Sequence, residues 1–139
     1  MIKNLKIKRS AFTLVELLVV IAIIGLLSTI VLVSFGPIRD NAADAAIKAN
    51  LNQMRLAAEI QYNSVSPNTY VGTASRADYL AAVAAITAAN GGTAPVANFA
   101  AGAYCVQSAL KSSGSWCMDS TGYIGATASC DGTGYNCAA

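Results

Sequence analysis

The stretch FTLVELLVVIAIIGLLSTIVLVSF, residues 12–35, decides the fold of this chain. Its one charged residue is Glu16, and residues 17–35 form an unbroken run of 19 residues without a charge. At about 1.5 Å per helical residue, such a run covers the roughly 30 Å hydrocarbon core of a bilayer. The sequence therefore predicts a hydrophobic helix over residues 12–37 that is able to span a membrane.

The rest of the chain has a different composition. Of the 139 residues, 55% are hydrophobic and 12% are charged, but the residues after position 64 are mostly Ala, Ser, Thr, Gly and Asn. This length suits one small domain. We therefore divide the chain into a basic leader, the hydrophobic helix, an amphipathic continuation of that helix and an exported head, at residues 1–11, 12–37, 38–63 and 64–139.

Positive charge before the span sets its orientation. The four basic residues of the leader are Lys3, Lys6, Lys8 and Arg9. Because positive flanks stay on the cytoplasmic side, the N-terminus is expected inside and the head outside. Without residues 1–11 the chain keeps five basic and seven acidic residues. The exported part therefore shows no basic patch that would indicate nucleic-acid binding.

The cysteines are consistent with a head that lies outside the membrane. They are even in number and lack the C-x-x-C spacing of zinc or thioredoxin-like sites, which predicts two disulfides formed in an oxidising compartment. The four are Cys105, Cys117, Cys130 and Cys137. Four cysteines allow three pairings. Proximity along the chain favours Cys105 with Cys117 and Cys130 with Cys137.

An ordinary secretory signal has its small-residue cleavage site after the apolar core, whereas here the small residues Ser10 and Ala11 come before the apolar run. A cut before Phe12 would keep the hydrophobic helix in the mature protein. Residues 8–17, KRSAFTLVEL, resemble the class III leader of type IV pilins and type II secretion pseudopilins. The resemblance implies that a prepilin peptidase cuts between Ala11 and Phe12 and methylates the new amino group of Phe12. Ala11 stands where these families usually place Gly.

Glu16 is the only acidic residue before Arg39. Charges inside apolar helices are costly and by default functional. We expect Glu16 to neutralise the amine of Phe12, either its own or that of the next subunit in a filament. The alternative is an interfacial acid that is favoured by the positive end of the helix dipole.

Three residues predict flexibility in the helix. Gly25 lies inside the span, and Gly36 and Pro37 close it. Pro37 has no N–H to donate to the carbonyl of residue 33, and Gly is a weak helix former, so the helix is expected to bend or loosen here. In the resembling families a segment of this helix extends on assembly. A simple kink at the membrane surface is the alternative.

From residue 38 to 62 the pattern becomes one-sided, with apolar residues at helical steps of three and four. These are Ala43, Ile47, Leu51, Met54, Ala58 and Tyr62. The pairs Asp44 with Lys48 and Arg55 with Glu59 are opposite charges four apart, expected on an exposed face. A helix over residues 12–62 would be roughly 75 Å long. The head is too small to bury it, so its first half must find lipid or other helices.

In the head, Ser75 and Asp78 predict a helix cap, and Asn90-Gly91-Gly92 predicts the end of a short helix. The segments 104–110, 116–119 and 123–124, separated by turns, predict an antiparallel meander. This sheet would bury three helix residues against three of its own: Ile47, Leu51 and Met54 against Val106, Leu110 and Trp116. The class is therefore α+β, and residues 104–122 also resemble the C-terminal sheet of some pilins. The resemblance implies the type IV pilin fold.

No metal or cofactor is predicted. Asp131, Thr133 and Asn136 offer oxygens for calcium, but a calcium loop gathers more carboxylates, so a disulfide-stapled turn is preferred. The chain has no His and no nucleophile or phosphate-binding motif, which argues against an enzyme.

The resemblance implies a pilin that polymerises through its N-terminal helix for adhesion, motility or DNA uptake. It also implies a single-pass precursor in the cytoplasmic membrane that later joins an extracellular filament. Its expected partners are copies of itself, a prepilin peptidase, an assembly ATPase and a platform membrane protein. A pseudopilin of type II secretion or competence machinery is the first alternative, and a monomeric single-span protein that displays a binding module is the second.

Overall fold

A computed structural model describes residues 12–126, 129–130 and 135–137, with Val33 and Ser34 described by their backbone only. The chain divides into two compact units between Gly36 and Pro37. Helix α1, Leu14–Ser64, contributes residues to both units.

The first unit contains the apolar half of α1. Every side chain described between Phe12 and Gly36 is exposed. By length and composition this is the one helix among the described residues that could cross a membrane. The hydroxyls of Ser28 and Thr29 are satisfied within the helix, since Ser28 Oγ donates to the Ile24 carbonyl and Thr29 Oγ1 to the Leu26 carbonyl, both at 2.7 Å. The predicted apolar N-terminal helix is therefore confirmed.

The second unit combines the rest of α1 with a short helix and a small sheet. Its helical elements are a 3₁₀ turn at Thr73–Ser75 and α2 at Ala77–Ala89. The strands are β1 (Val96–Phe99), β2 (Tyr104–Ala109), β3 (Ser115–Asp119) and β4 (Ile124–Ala126). They pair antiparallel in the order β1-β2-β3-β4. The α+β class and the meander β2-β3-β4 are as predicted, whereas β1 was not predicted.

One face of the sheet forms the main core with α1 and α2. The periodic stripe of α1 faces this core, where Ile47, Leu51 and Met54 are fully buried. Val106 of β2 is buried in the same cluster, and Leu110 and Trp116 pack against it as partly buried residues. The predicted packing of the amphipathic helix against the sheet is thus confirmed.

The start of α2 differs from the prediction. Ser75 ends the preceding 3₁₀ turn, and Arg76 is the N-cap residue without a side-chain capping bond. Asp78 instead binds the Arg76 guanidinium at 2.8 Å and accepts from the Tyr79 N–H at 2.9 Å. The end of α2 is as predicted, because Gly91 adopts a positive φ of 77° that suits a helix C-terminus.

The charged residues of α1 do not lie where the spacing predicted. Asp44 is buried, and Lys48, Arg55 and Glu59 are half-buried. Lys48 Nζ lies 4.2 Å from the ring centroid of Trp116, and Glu59 accepts from the hydroxyl of Tyr104 at 3.4 Å. The expectation of an exposed face carrying these pairs is therefore wrong. The i, i+4 spacing places the charges on one stripe, and that stripe borders the head.

Asp44 fastens the β2–β3 loop to α1. Its carboxylate accepts from the Lys111 N–H and from the hydroxyl and N–H of Ser112. Desolvation acts to raise the pKa of Asp44, but these hydrogen bonds outweigh it and hold the pKa below its ordinary value. The carboxylate therefore stabilises the fold in its ionised form.

We expect Asp44→Asn to lower the free energy of unfolding of the full chain in detergent by about 2–4 kcal/mol at pH 7, because it leaves two N–H groups poorly paired. The folded-state pKa lies below the usual value of about 3.9, so this contribution is present above that pH and is lost as the pH falls through the folded-state pKa. Urea titrations followed by Trp116 fluorescence measure it. Asp40→Asn, one turn earlier, is the matched control. A gap between wild type and Asp44→Asn that does not narrow as the pH falls below about 3.9 would contradict the assignment.

The disulfides cover the other face of the sheet. Cys105 of β2 bonds to Cys130, and Cys117 of β3 bonds to Cys137, each with a Cα–Cα distance of 5.8 Å. Within the two strands Cys105 faces Asp119 and Cys117 faces Gln107. Cys105 and Cys117 are therefore diagonal neighbours, whose Cα atoms lie about 7–8 Å apart. This distance exceeds the usual 4.4–6.8 Å Cα–Cα range of a disulfide, so the two do not suit a bond to each other.

The expected pairing by proximity along the chain is therefore wrong, although all four cysteines are disulfide-bonded. Asp119 reinforces the observed arrangement, since its buried carboxylate accepts from the Cys137 N–H at 2.8 Å. Two covalent bonds thus hold the C-terminal segment on the sheet, together with hydrogen bonds from the Cys137 N–H to Asp119 and from the Cys130 N–H to Gln107.

Candidate assembly site on the N-terminal helix

The start of α1 is closed by a reciprocal pair of side chains, Thr13 and Glu16. Glu16 Oε2 accepts from both the N–H and the hydroxyl of Thr13 at 2.8 Å. In return, Thr13 Oγ1 accepts from the Glu16 N–H at 3.3 Å. This is a capping box, in which the N-cap residue and the residue three positions later satisfy each other's free N–H groups.

The capping box bears on both sequence interpretations of Glu16. It gives the carboxylate a local role at the helix N-terminus. This role is similar to the alternative interpretation, in which the positive end of the helix dipole favours an acid there. It also fixes the carboxylate beside Phe12, which is 79% exposed at the start of the described chain. Pairing of Glu16 with an amine of Phe12 stays a prediction, because that amine exists only after cleavage. Ala11 lies outside the described residues.

Sequence reasoning missed Thr13. The signal was present, because Thr-x-x-Glu directly before an apolar run is the sequence signature of a capping box. Thr13 is therefore a positioning residue for Glu16, and the two form one unit at the exposed beginning of the helix.

The residues predicted to loosen the helix lie within an uninterrupted α1. Pro37 is inside the helix, which continues to Ser64. A Cβ added at Gly25 or Gly36 would meet nothing within 4 Å, so neither glycine is required by packing within the chain. The division between the two compact units falls at Gly36 and Pro37. A role of these residues in flexibility stays a prediction.

The weak calcium candidate cannot be placed, since Asp131 and Thr133 lie outside the described residues. Asn136 is exposed. Within the described ranges no group of three or more His, Cys, Asp or Glu side chains could hold a metal ion.

A long apolar N-terminal helix followed by a small four-stranded antiparallel sheet is a pilin-like α+β architecture. The chain carries the prokaryotic N-terminal methylation motif, whose family model matches residues 6–32. This motif is the class III prepilin leader of type IV pilins and pseudopilins. No curated protein and no solved structure matches the chain significantly.

The matched segment contains the Thr13–Glu16 capping box and most of the apolar run, and it ends before Gly36 and the head. The motif implies processing by a prepilin peptidase and the use of membrane assembly machinery. Together with the apolar helix it fits a membrane-anchored precursor, and motif and fold suggest a structural protein.

Proposed function

We propose that this chain is a structural subunit of an extracellular type IV pilus, which polymerises through the apolar half of α1. The observation that carries the proposal is the complete exposure of that half: every side chain described between Phe12 and Gly36 is exposed. Apolar surface of this extent requires a cover. Lipid covers it in the precursor, and copies of the same helix cover it in the filament.

Glu16 gives a reason for the apolar half of α1 to leave lipid and pack against other copies of the chain. A carboxylate at the edge of an apolar helix is costly in lipid and is stabilised when a cation pairs with it. In a filament, the methylated amine of Phe12 on a neighbouring copy supplies that cation. The capping box with Thr13 satisfies Oε2 before assembly. The carboxylate therefore enters the bundle already oriented.

The disulfide-stapled head favours a pilin over a pseudopilin. Both disulfides tie the C-terminal segment to the sheet, which suits a head that remains outside the cell. Electron microscopy of sheared surface material, with immunodetection of this chain, separates the alternatives. Filaments that contain the chain support the pilin, whereas their absence with normal processing indicates a pseudopilin.

We expect the mature chain to begin at Phe12 with a methylated amino group, because residues 8–17 resemble a prepilin leader that is cut before the Phe. Mass spectrometry of the N-terminal peptide from native membranes measures this. Ala11→Gly is the matched variant, and it should be cleaved at least as completely as wild type since it restores the usual residue before the cut. An intact Met1 in the mature protein would instead indicate a simple membrane anchor.

A further inference from the structure

The two central strands of the sheet carry the same short pattern, a cysteine followed two residues later by a side chain that accepts hydrogen bonds. The pattern is Cys105 with Gln107 on β2 and Cys117 with Asp119 on β3. Alternate residues of a strand share a face, so each cysteine and its acceptor lie on the same side of the sheet. Across the strands Cys105 faces Asp119, and Cys117 likewise faces Gln107. The four residues therefore form a square, with the cysteines at one pair of opposite corners and the acceptors at the other.

Each of the two C-terminal cysteines is held on this square at two points. Cys130 Sγ bonds to the cysteine of β2, and the Cys130 N–H donates to Gln107 Oε1 at 2.7 Å. Cys137 Sγ bonds to the cysteine of β3, and the Cys137 N–H donates to Asp119 Oδ2 at 2.8 Å. In both cases the sulfur partner and the N–H acceptor are two residues apart on one strand. The same arrangement therefore occurs twice on this face of the sheet.

The length of the intervening chain does not decide which strand cysteine each C-terminal cysteine bonds. Six residues separate Cys130 from Cys137. An extended segment of that length spans about 20 Å, whereas the Cα atoms of the two strand cysteines lie about 7–8 Å apart. The exchanged pairing, Cys105 with Cys137 and Cys117 with Cys130, is therefore within reach of the chain. Local contacts have to select between the two pairings.

The acceptors supply such contacts. A hydrogen bond to the backbone N–H of a cysteine fixes the direction in which its Cα–Cβ bond points, and so favours one of two nearby sulfurs. Asp119 Oδ1 accepts from the N–H and hydroxyl of Thr121 and from the Tyr123 N–H, which leaves Oδ2 for Cys137. Desolvation acts to raise the pKa of Asp119, but these hydrogen bonds outweigh it and hold the pKa below its ordinary value. Both oxygens are therefore acceptors at neutral pH.

We propose that Gln107 and Asp119 are positioning residues for disulfide formation, and that each directs one C-terminal cysteine to the cysteine of its own strand. Formation of each disulfide joins two thiol sulfurs, and their two protons and two electrons pass to a disulfide-bonded oxidant, which leaves as two thiols. The side chains of Gln107 and Asp119 take no part in this exchange. They hold the correct pair of sulfurs together, which raises the effective concentration of one thiol beside the other. This inference does not depend on filament assembly.

Re-oxidation of the reduced full chain in detergent, with a glutathione buffer as the oxidant, measures the pairing. Trypsin and chymotrypsin cut between every two cysteines, at Lys111, Tyr123 and Tyr135, so that each peptide contains one cysteine. Mass spectrometry of the non-reduced peptides then gives the ratio of exchanged to native pairing in the oxidised chain. A variant that only destabilises the head increases the free thiols and leaves this ratio unchanged.

Asp119→Asn tests the acceptor on β3. The Asn carbonyl oxygen can keep the bonds of Oδ1 within the turn, but the amide NH₂ that replaces Oδ2 cannot accept from the Cys137 N–H. We expect the ratio of exchanged to native pairing to rise at least about tenfold, because a hydrogen bond to a charged group is lost. An unchanged ratio would overturn the proposal.

Gln107→Met tests the acceptor on β2, and it decides the matter if Asp119→Asn does not fold. Met has a similar length and no oxygen, so the ratio should rise about threefold or more. Gln107→Glu keeps an oxygen at this position and should pair as wild type does. Gln53→Met, at an exposed glutamine of α1, is the matched control. A wild-type ratio in Gln107→Met, or an equal rise in Gln107→Glu, would overturn the proposal.

Discussion

Replacing Glu16 with Gln is expected to leave membrane insertion and Phe12 processing unchanged and to reduce filament incorporation at least about tenfold. The reason is the loss of one charge at an otherwise intact helix start. Gln is accepted at the third position of a capping box, so the bond to Thr13 can persist. A charge-assisted pair with the Phe12 amine cannot form, and such pairs are roughly twice as strong as neutral hydrogen bonds.

Two further variants separate charge from capping. Thr13→Ala removes the cap and keeps the carboxylate, so it should assemble better than Glu16→Gln. Glu16→Ala removes both and should assemble no better than Glu16→Gln. The measurements are membrane fractionation, N-terminal mass spectrometry and quantification of sheared filaments. Filaments of Glu16→Gln at wild-type level would remove the proposed role of the charge and leave Glu16 as a helix cap.

Removing the Cys117–Cys137 disulfide, with both residues changed to Ser, should destabilise the head by about 3 kcal/mol. The bond closes a loop with a sequence separation of 20, and cross-links of this length restrict the unfolded chain by about that amount. The Cys105–Cys130 bond, with a separation of 25, should contribute similarly. Urea unfolding of the full chain in detergent, followed by Trp116 fluorescence, measures both. Ser129→Ala, an exposed change beside Cys130, is the control.

The connectivity itself has a direct test. Trypsin cleaves after Lys111 and Asp-N protease before Asp119 and Asp131, so the non-reduced chain yields peptides that each contain one cysteine. Mass spectrometry should find the Cys105 peptide joined to that of Cys130, and the Cys117 peptide joined to that of Cys137. A peptide pair linking Cys105 with Cys117 would contradict the structure.

Local patterns in the sequence predicted most of the architecture. The apolar run and the stripe of α1 are visible because helical spacing depends only on neighbouring residues, and Ile47, Leu51 and Met54 are buried as expected. The turns of the meander are visible for a similar reason, since Gly114 and Gly122 adopt positive φ values of 76° and 94°. Such signals do not need the tertiary fold.

What the sequence did not predict depends on contacts between distant residues. Asp44 and Lys48 have the spacing of a surface ion pair, but the β2–β3 loop and Trp116 recruit them to the head. Strand β1 is short and is defined by its pairing with β2. The disulfides follow from strand register rather than from distance along the chain. At the candidate assembly site, Glu16 was singled out from the sequence, and its hydrogen-bond partner Thr13 was overlooked.

The position of the sulfur bridges determines how this head would bear mechanical load. A pull on the chain beyond Cys137 enters β3 directly through Cys117, and β4 lies between these two cysteines. Strand β4 therefore carries none of the tension, and its few hydrogen bonds need not resist it. An attachment made through the end of the chain would be held by covalent bonds as far as the centre of the sheet.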